Sequence, residues 1–248
     1  MITIKNAEEL QKMREAGRIV AEVFELMREK IAPGITTAEL NMAAERLIAK
    51  RHAKPLFKGY NGFPAALCVS VNDEVIHGIP GPRKLKEGDI VSIDVGAQIH
   101  GYCGDAARTF PVGEVKPEVA ELLRVTEASL YAGIEMAVAG NRLGDIGNRI
   151  QTVAEAHGLG VVVDYVGHGI GRNLHEAPDV PNYGRPGRGL RLVNGMTLAI
   201  EPMLNMGTPA VRTLADGWTV VTLDGLPSAH FENTVAITPD GPVLLTVL

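Results

Sequence analysis

The side chains most able to do chemistry are four acids and an imidazole: Asp94, Asp105, Glu201, Glu232 and His168. The segment SIDVGAQIHGYCGDAARTF (92–110) reads as a strand, a turn near Ile99-His100 and a returning strand. A two-residue loop there sets Asp94 directly opposite Asp105, on one face of the hairpin. Carboxylates that close repel, so either one is protonated or a cation lies between them. Two exposed hairpin acids are the plainer alternative, which the same repulsion disfavours. A bulge within 101–104 is what could shift this register.

Glu201 closes the apolar run MTLAI and is followed by Pro202. An acid there is either functional or simply faces solvent at a strand tip. In HFENTVAI (230–237), His230 and Glu232 share one face of a strand, and either could ligate a cation. A strand-end salt bridge is the competing account. His168 lies between Gly167 and Gly169 in VGHGIGRNLHEAP, where small neighbours let the backbone approach closely. The GHGIG string lacks the GxxxxGK[ST] pattern of a phosphate loop. His175 could face the same cavity, and His77 precedes a glycine at a strand end; a lone histidine in such places is more often structural. His52, His100 and His157 fall at helix or turn ends and carry no assigned role. Oxygen and nitrogen donors without thiolates favour Mn, Fe, Co or Zn over a cysteine-type zinc site.

These residues need strands to position them. Apolar residues at helical spacing predict a helix over 6–30, begun by Asn6 with Glu9 and stopped by Pro33-Gly34. A second runs from Thr36, with Glu39, to about His52. Strands follow over 66–71, 89–97 and 107–112. The order then repeats: helices over 117–139 and 143–156, and strands over 161–166, 196–202, 217–223 and 234–239. GITTAEL (34–40) resembles GNRLGDI (140–146), and EGDIVSID (87–94) resembles NGMTLAIE (194–201). The offset is nearly constant, so Gly34 pairs with Gly140, Gly88 with Gly195 and Asp94 with Glu201. Two similar α+β halves with a site between them are expected.

Composition narrows the class. With 248 residues, 46% hydrophobic and 21% charged, the chain reads as globular. A net charge of -5 and 4% aromatics argue against a sequence-specific nucleic-acid binder. The one cationic cluster, Arg185, Arg188 and Arg191, is either a solvated loop or a docking spot for an anionic surface. Cys68 and Cys103 show no zinc spacing and suit a reducing, cytoplasmic setting. Neither a signal peptide nor an apolar run of ~18 residues is visible, so no membrane association is expected.

The strings VGHGIGRNLHEAP, NGMTLAIEPM and SIDVG…GD closely resemble the type I methionine aminopeptidase family, over essentially the whole chain. The resemblance implies the α+β pita-bread fold: one catalytic domain over 1–248, with pseudo-symmetric α/β halves of about 1–113 and 114–248 and a central antiparallel sheet. It implies two divalent ions (Co, Mn, Fe, Zn or Ni). Asp94 would bind one, Asp105 and Glu232 would bridge, and His168 and Glu201 would bind the other. His77 and His175 match the histidines that contact substrate, and Glu201 the proton carrier. Tyr60, Phe63, Cys68, Leu174 and Trp218 match the methionine pocket, with Phe63 where tyrosine is common and Leu174 where an aromatic is usual. Asn233 replaces a histidine. Asn72 and Ser228 match positions that bind a monovalent cation in related proteins; a purely structural role is the alternative.

The implied activity is removal of the N-terminal methionine from nascent proteins and peptides, before a small second residue. The ribosome surface is an implied partner, and the family is mostly monomeric. Two rival readings are a proline-directed relative such as prolidase and a non-catalytic pita-bread binding protein. The first carries a large N-terminal domain, whereas this chain is expected to start with the catalytic-domain helices. The second has typically lost metal ligands, and none is lost here. A type II enzyme would interrupt the second half with a helical insertion.

Overall fold

In the computed structural model, which describes residues 2–248, the chain opens with two capped helices. Helix α1 (Ala7–Lys30) is capped by Asn6, whose side chain accepts from the Glu9 N–H while Glu9 returns the bond. Helix α2 (Thr37–Lys50) repeats this capping box with Thr36 and Glu39. Both starts agree with the sequence signals. Strands β1 (Lys54–Pro55), β2 (Leu67–Val71), β3 (Glu74–Ile76), β4 (Ile90–Ile99) and β5 (Tyr102–Pro111) follow, with a 3-10 turn over Tyr60–Gly62.

The second part begins with α3 (Pro117–Glu135), Pro at its first turn, and α4 (Leu143–Ala156). Then come β6 (Gly160–Val161), β7 (Gly167–Gly169), β8 (Glu176–Val180), β9 (Thr197–Ile200), β10 (Met203–Asn205), β11 (Val211–Thr213), β12 (Val220–Thr222), β13 (Ser228–His230), β14 (Asn233–Thr238) and β15 (Gly241–Leu244). The expected strand over 161–166 is mostly absent. Only its first residue is extended in a ladder, and bends at 164–165 lead directly into the three residues of β7. Beyond Val161 only the Val162 N–H reaches β10, donating to the Met203 carbonyl at 3.1 Å, so an apolar run is not by itself a strand.

Two sheets carry the site. In one, β4 pairs with β5 on one side and with β1 and β2 on the other. The other has the order β15-β14-β9-β7-β8. They meet at β5 and β14: the Glu232 N–H donates to the Ala107 carbonyl (2.9 Å), and the Thr234 hydroxyl donates to the Asp105 carbonyl (2.8 Å) while accepting from the Asp105 N–H (3.1 Å). A side chain thus completes the seam where a backbone ladder would otherwise run.

Helices cover the outer faces. Val20, Val23, Phe24 and Met27 of α1 pack with Val69, Val91 and Ile93. Leu122, Val125, Ile146 and Ile150 of α3 and α4 pack with Leu198, Ile200 and Val235. Each such side chain contributes roughly 1.5–3 kcal/mol when fully buried. Helix α1 comes close to β5 at Gly17 and Gly104, where a Cβ on Gly104 would lie 2.6 Å from the Gly17 nitrogen.

The internal repeat is visible in matched backbone bonds. The Gly34 N–H donates to Leu85 (2.7 Å) and the Gly140 N–H to Leu192 (3.0 Å). Gly34 and Gly140 have φ of 96° and 102°, and Gly88 and Gly195 of 85° and 87°. Both pairs sit in the left-handed region that glycine alone enters readily. The turns that deliver Asp94 and Glu201 are therefore built alike.

Candidate metal centre

The β4–β5 hairpin turns at His100-Gly101, with Ile99 opposite Tyr102. Asp94 therefore faces Ala107, and Asp105 faces Gly96. The expected direct pairing is two residues off, because the turn lies one residue later than the sequence suggested. A shift of two preserves the face, so both acids still point the same way, as diagonal neighbours. Asp94 lies between Cys68 on β2 and Ala107 on β5.

From the other sheet, His168 on β7 pairs with Ala199 on β9. Its Nδ1 lies 2.9 Å from the Gly169 carbonyl. A carbonyl only accepts, so Nδ1 carries the proton and Nε2 presents a lone pair. Nε2 faces Glu201 Oε1 at 3.6 Å and Asp105 Oδ2 at 3.9 Å. Glu201 leaves the end of β9, its carbonyl held by the Asn182 amide at 3.0 Å. Glu232 stands between β13 and β14. Ligand atoms of Asp105, His168 and Glu232 all lie within 4.8 Å of one another.

Burial makes this cluster costly as it stands. Asp94 Oδ1, Asp105 Oδ1 and Glu232 Oε1 are buried with no hydrogen-bond partner. No lysine or arginine lines the cavity among the described residues. Desolvation, reinforced by mutual repulsion, raises Asp94 to about 7 and pushes Asp105 and Glu232 well up. Desolvation alone takes Glu201 to about 8. The same burial lowers His77, His168 and His230 to about 4, so they are neutral, lone-pair-bearing rings at neutral pH. Orphaned carboxylate oxygens around an aimed imidazole fit divalent cations of hard to borderline character. The Cys68 thiol, held up by burial and the adjacent acids, would not compete as a ligand.

The five candidate metal ligands, the two substrate-contacting histidines and the five candidate pocket residues line one cavity of about 190 Å³. Asp94, Asp105, His168, Glu201 and Glu232 form its floor, with His77 and His175 beside them and Tyr60, Phe63, Cys68, Leu174 and Trp218 as wall. Phe63 and Trp218 meet edge to face at 5.1 Å. His77 has φ +59° and stands perpendicular to the Tyr165 ring at 5.9 Å. The His168 and His175 rings are 4.2 Å apart, and the Tyr60 hydroxyl lies 2.8 Å from His175 Nδ1.

The structure adds residues that sequence reasoning left out. Phe57 and Asn61 also line the cavity. Phe57 and Phe63 lie on either side of the short 3-10 turn over Tyr60–Gly62, and all three aromatic rings line the cavity. Asn61, with φ 48° between Gly59 and Gly62, is the kind of residue that tolerates such backbone. His230, weighed against Glu232 as a ligand, holds Nε2 3.6 Å from Glu201 Oε2. Asn233 turns away from the cavity and accepts from Arg108 Nη2 and Thr246 Oγ1, each at 2.8 Å. Asn72 and Ser228 adjoin, the Ser228 N–H donating to the Asn72 carbonyl at 2.9 Å. Arg185, Arg188 and Arg191 are exposed and lie outside the cavity.

The fold and this acidic, imidazole-bearing floor define a class of hydrolase. The family model for metallopeptidase family M24 matches residues 11–239, and the chain belongs to that family. It is 58% identical over 248 residues to methionine aminopeptidase of Clostridium perfringens (strain 13 / Type A), covering all of both chains. It is 56% identical to methionine aminopeptidase 1 of Bacillus subtilis (strain 168), covering 99% of each. The crystal structure of methionine aminopeptidase from Thermotoga maritima superposes with a TM-score of 0.98 at 49% identity, covering all of both chains. Within M24, the chain falls among the methionine aminopeptidases. Prolidase from Pyrococcus furiosus shares the fold, with a TM-score of 0.79 at 23% identity, and the match covers 99% of this chain and 65% of that one.

Proposed function

We propose that the chain, as one catalytic domain over 1–248 with halves of about 1–113 and 114–248, removes the N-terminal methionine from nascent proteins and peptides. The observation that carries this is the pairing of buried, orphaned carboxylates with an adjoining apolar and aromatic wall in one cavity. Two divalent ions would be held by Asp94, Asp105, His168, Glu201 and Glu232, with Asp105 and Glu232 reaching both. Bound there, such ions lower the pKa of water enough to provide a nucleophile near neutral pH.

The chain's own residues do the rest. The wall of Tyr60, Phe63, Cys68, Leu174 and Trp218 takes the methionine side chain, whose soft thioether suits aliphatic and aromatic contacts. Leu174, buried in that wall, keeps the apolar contact an aromatic would otherwise make. His175 supports the carbonyl oxygen as charge develops on it, and His77 contacts the scissile amide. The Glu201 carboxylate takes a proton from water as the C–O bond forms and returns it to the amine as the C–N bond breaks. Crowding beyond the first residue favours a small second side chain.

Several finer readings accompany this one. Asn72 and Ser228 are proposed to border a monovalent cation. The Arg185–Arg191 loop is proposed to rest on the ribosome, with the enzyme a monomer in the cytoplasm. Among the described residues, no helix is long and apolar enough to cross a membrane.

The test is methionine release from a Met-Gly-Met peptide, with and without chelator. Release that stops on chelation and returns with Mn, Fe, Co, Zn or Ni supports the reading. Release indifferent to chelator would overturn it. Preference for an Xaa-Pro peptide would favour the proline-directed alternative instead.

A further inference from the structure

We propose that Tyr60 is a positioning residue for His175, its hydroxyl fixing which ring nitrogen of that histidine carries the proton. This deepens the reading above, in which His175 supports the carbonyl oxygen, and rests on it. Tyr60 belongs to the apolar wall by its ring, but its hydroxyl is aimed elsewhere, at His175 Nδ1, 2.8 Å away. Neither side chain makes another hydrogen bond among the described residues. The two rings sit 5.3 Å apart at 39°. The turn that presents Tyr60 is tightly specified: its carbonyl accepts from the Gly62-adjacent Phe63 N–H at 2.9 Å, and the Gly59 N–H donates to Phe63 at 2.8 Å.

The two neighbouring imidazoles face opposite demands. The Gly169 carbonyl forces the proton onto Nδ1 of His168, which frees Nε2 as a lone pair toward the acids. His175 has a phenol in the equivalent place. A phenol can donate, and imidazole nitrogen is much the more basic partner, so the Tyr60 O–H donates to Nδ1. His175 then carries its proton on Nε2, as a donor, within the cavity it lines. One ring offers a lone pair and the other, 4.2 Å from it, offers an N–H. The choice of backbone carbonyl or phenol as partner assigns these roles.

Tyr60→Phe keeps the ring and removes only the donor. The expected result is a fall in kcat of about tenfold for Met-Gly-Met with KM changed less than about twofold, the scale of one lost hydrogen bond that orients a reacting group. Tyr60→Leu, which removes the wall as well, should also raise KM. Placed in a His175→Ala background, Tyr60→Phe should cost nothing further. Histidine 15N spectra of the zinc-loaded protein should show His175 as the Nε2–H form, and a mixture of forms in Tyr60→Phe. An Nδ1–H signal in the parent, or an equal Tyr60→Phe cost with and without His175, would overturn the proposal. The spectra read out even if a variant is inactive. A parent chain that releases no methionine sinks the functional reading instead, and the two failures are distinct.

Discussion

Glu201 is the residue on which several demands meet. One carboxylate oxygen faces His168 Nε2 and the other His230 Nε2, each at 3.6 Å, and its own backbone carbonyl is pinned by Asn182. Replacing it by Ala should cut turnover by about 10²–10⁴-fold, the range for loss of a general acid–base. The circular dichroism spectrum should be unchanged, since the acid sits just past the end of β9 and points into the acid-floored cavity rather than the apolar core. Full activity in Glu201→Ala would remove it from proton transfer. Asp94 and Asp105 were legible as a pair because strand alternation survives a register shift of two, whereas Glu201 and Glu232 stayed open between ligand and strand-end roles until the family resemblance singled them out. Phe57 and Asn61 were not, because the cavity depends on a short turn whose left-handed positions alternation does not encode. His230 could be read only as one of two candidates on a shared face.

At the scale of elements, helix starts were readable in detail, since the Asn6/Glu9 and Thr36/Glu39 boxes are local chemistry. Strand extents were not, because pairing is decided by distant partners: β7 is three residues long, yet it carries His168. Close contacts between elements are also silent in the sequence. Gly104 precedes Asp105 and lies under α1, where an added methyl meets backbone rather than a side chain that could swing aside. Gly104→Ala should destabilise the fold by about 1–3 kcal/mol through overpacking. Urea unfolding would measure it, and an unchanged midpoint would show that α1 can lift.

The segment before α1 braces a different element. Lys5, almost fully buried, pairs with Glu176 at 2.8 Å, and Glu176 accepts from the Arg172 and Asn173 N–H groups, closing the loop that presents Leu174 and His175. Lys5→Met leaves that carboxylate buried without its cation. Glu176 keeps its Thr3, Arg172 and Asn173 donors, so a loss of about 1–3 kcal/mol is expected from denaturant curves. A variant as stable as the parent would mean that water replaces the ammonium.

For the whole molecule, the repeat was legible from two short matches at nearly one offset, and its glycines occupy matched left-handed positions ahead of the two acids. The offset could not reveal how the sheets join, because the seam uses the Thr234 side chain, which has no counterpart motif. The gathered acids also give the molecule a pH signature. A carboxyl whose folded pKa is raised stabilises the fold below its unfolded pKa, and that stability is lost as pH rises toward the folded value. The lowered histidines act in the opposite sense, but only below about 6.5, where unfolded imidazole titrates. Between about 6.5 and 8 the acids act alone, with Asp94 at about 7 and Glu201 at about 8. Metal-stripped protein should therefore lose thermal stability across that window, and protein loaded with divalent ion should not. Calorimetry of both forms checks this; a Tm that rises with pH in the stripped form would contradict it.

The seam between β5 and β14 has a mechanical corollary. Asp105 stands on one side of it and Glu232 on the other, while the backbone bonds crossing there are few. A cation held by both acids, as proposed above, would be a rivet as well as a reagent, since prying the sheets apart would require expelling it. Starvation for metal would then loosen the enzyme's frame at the same moment that it silences the chemistry.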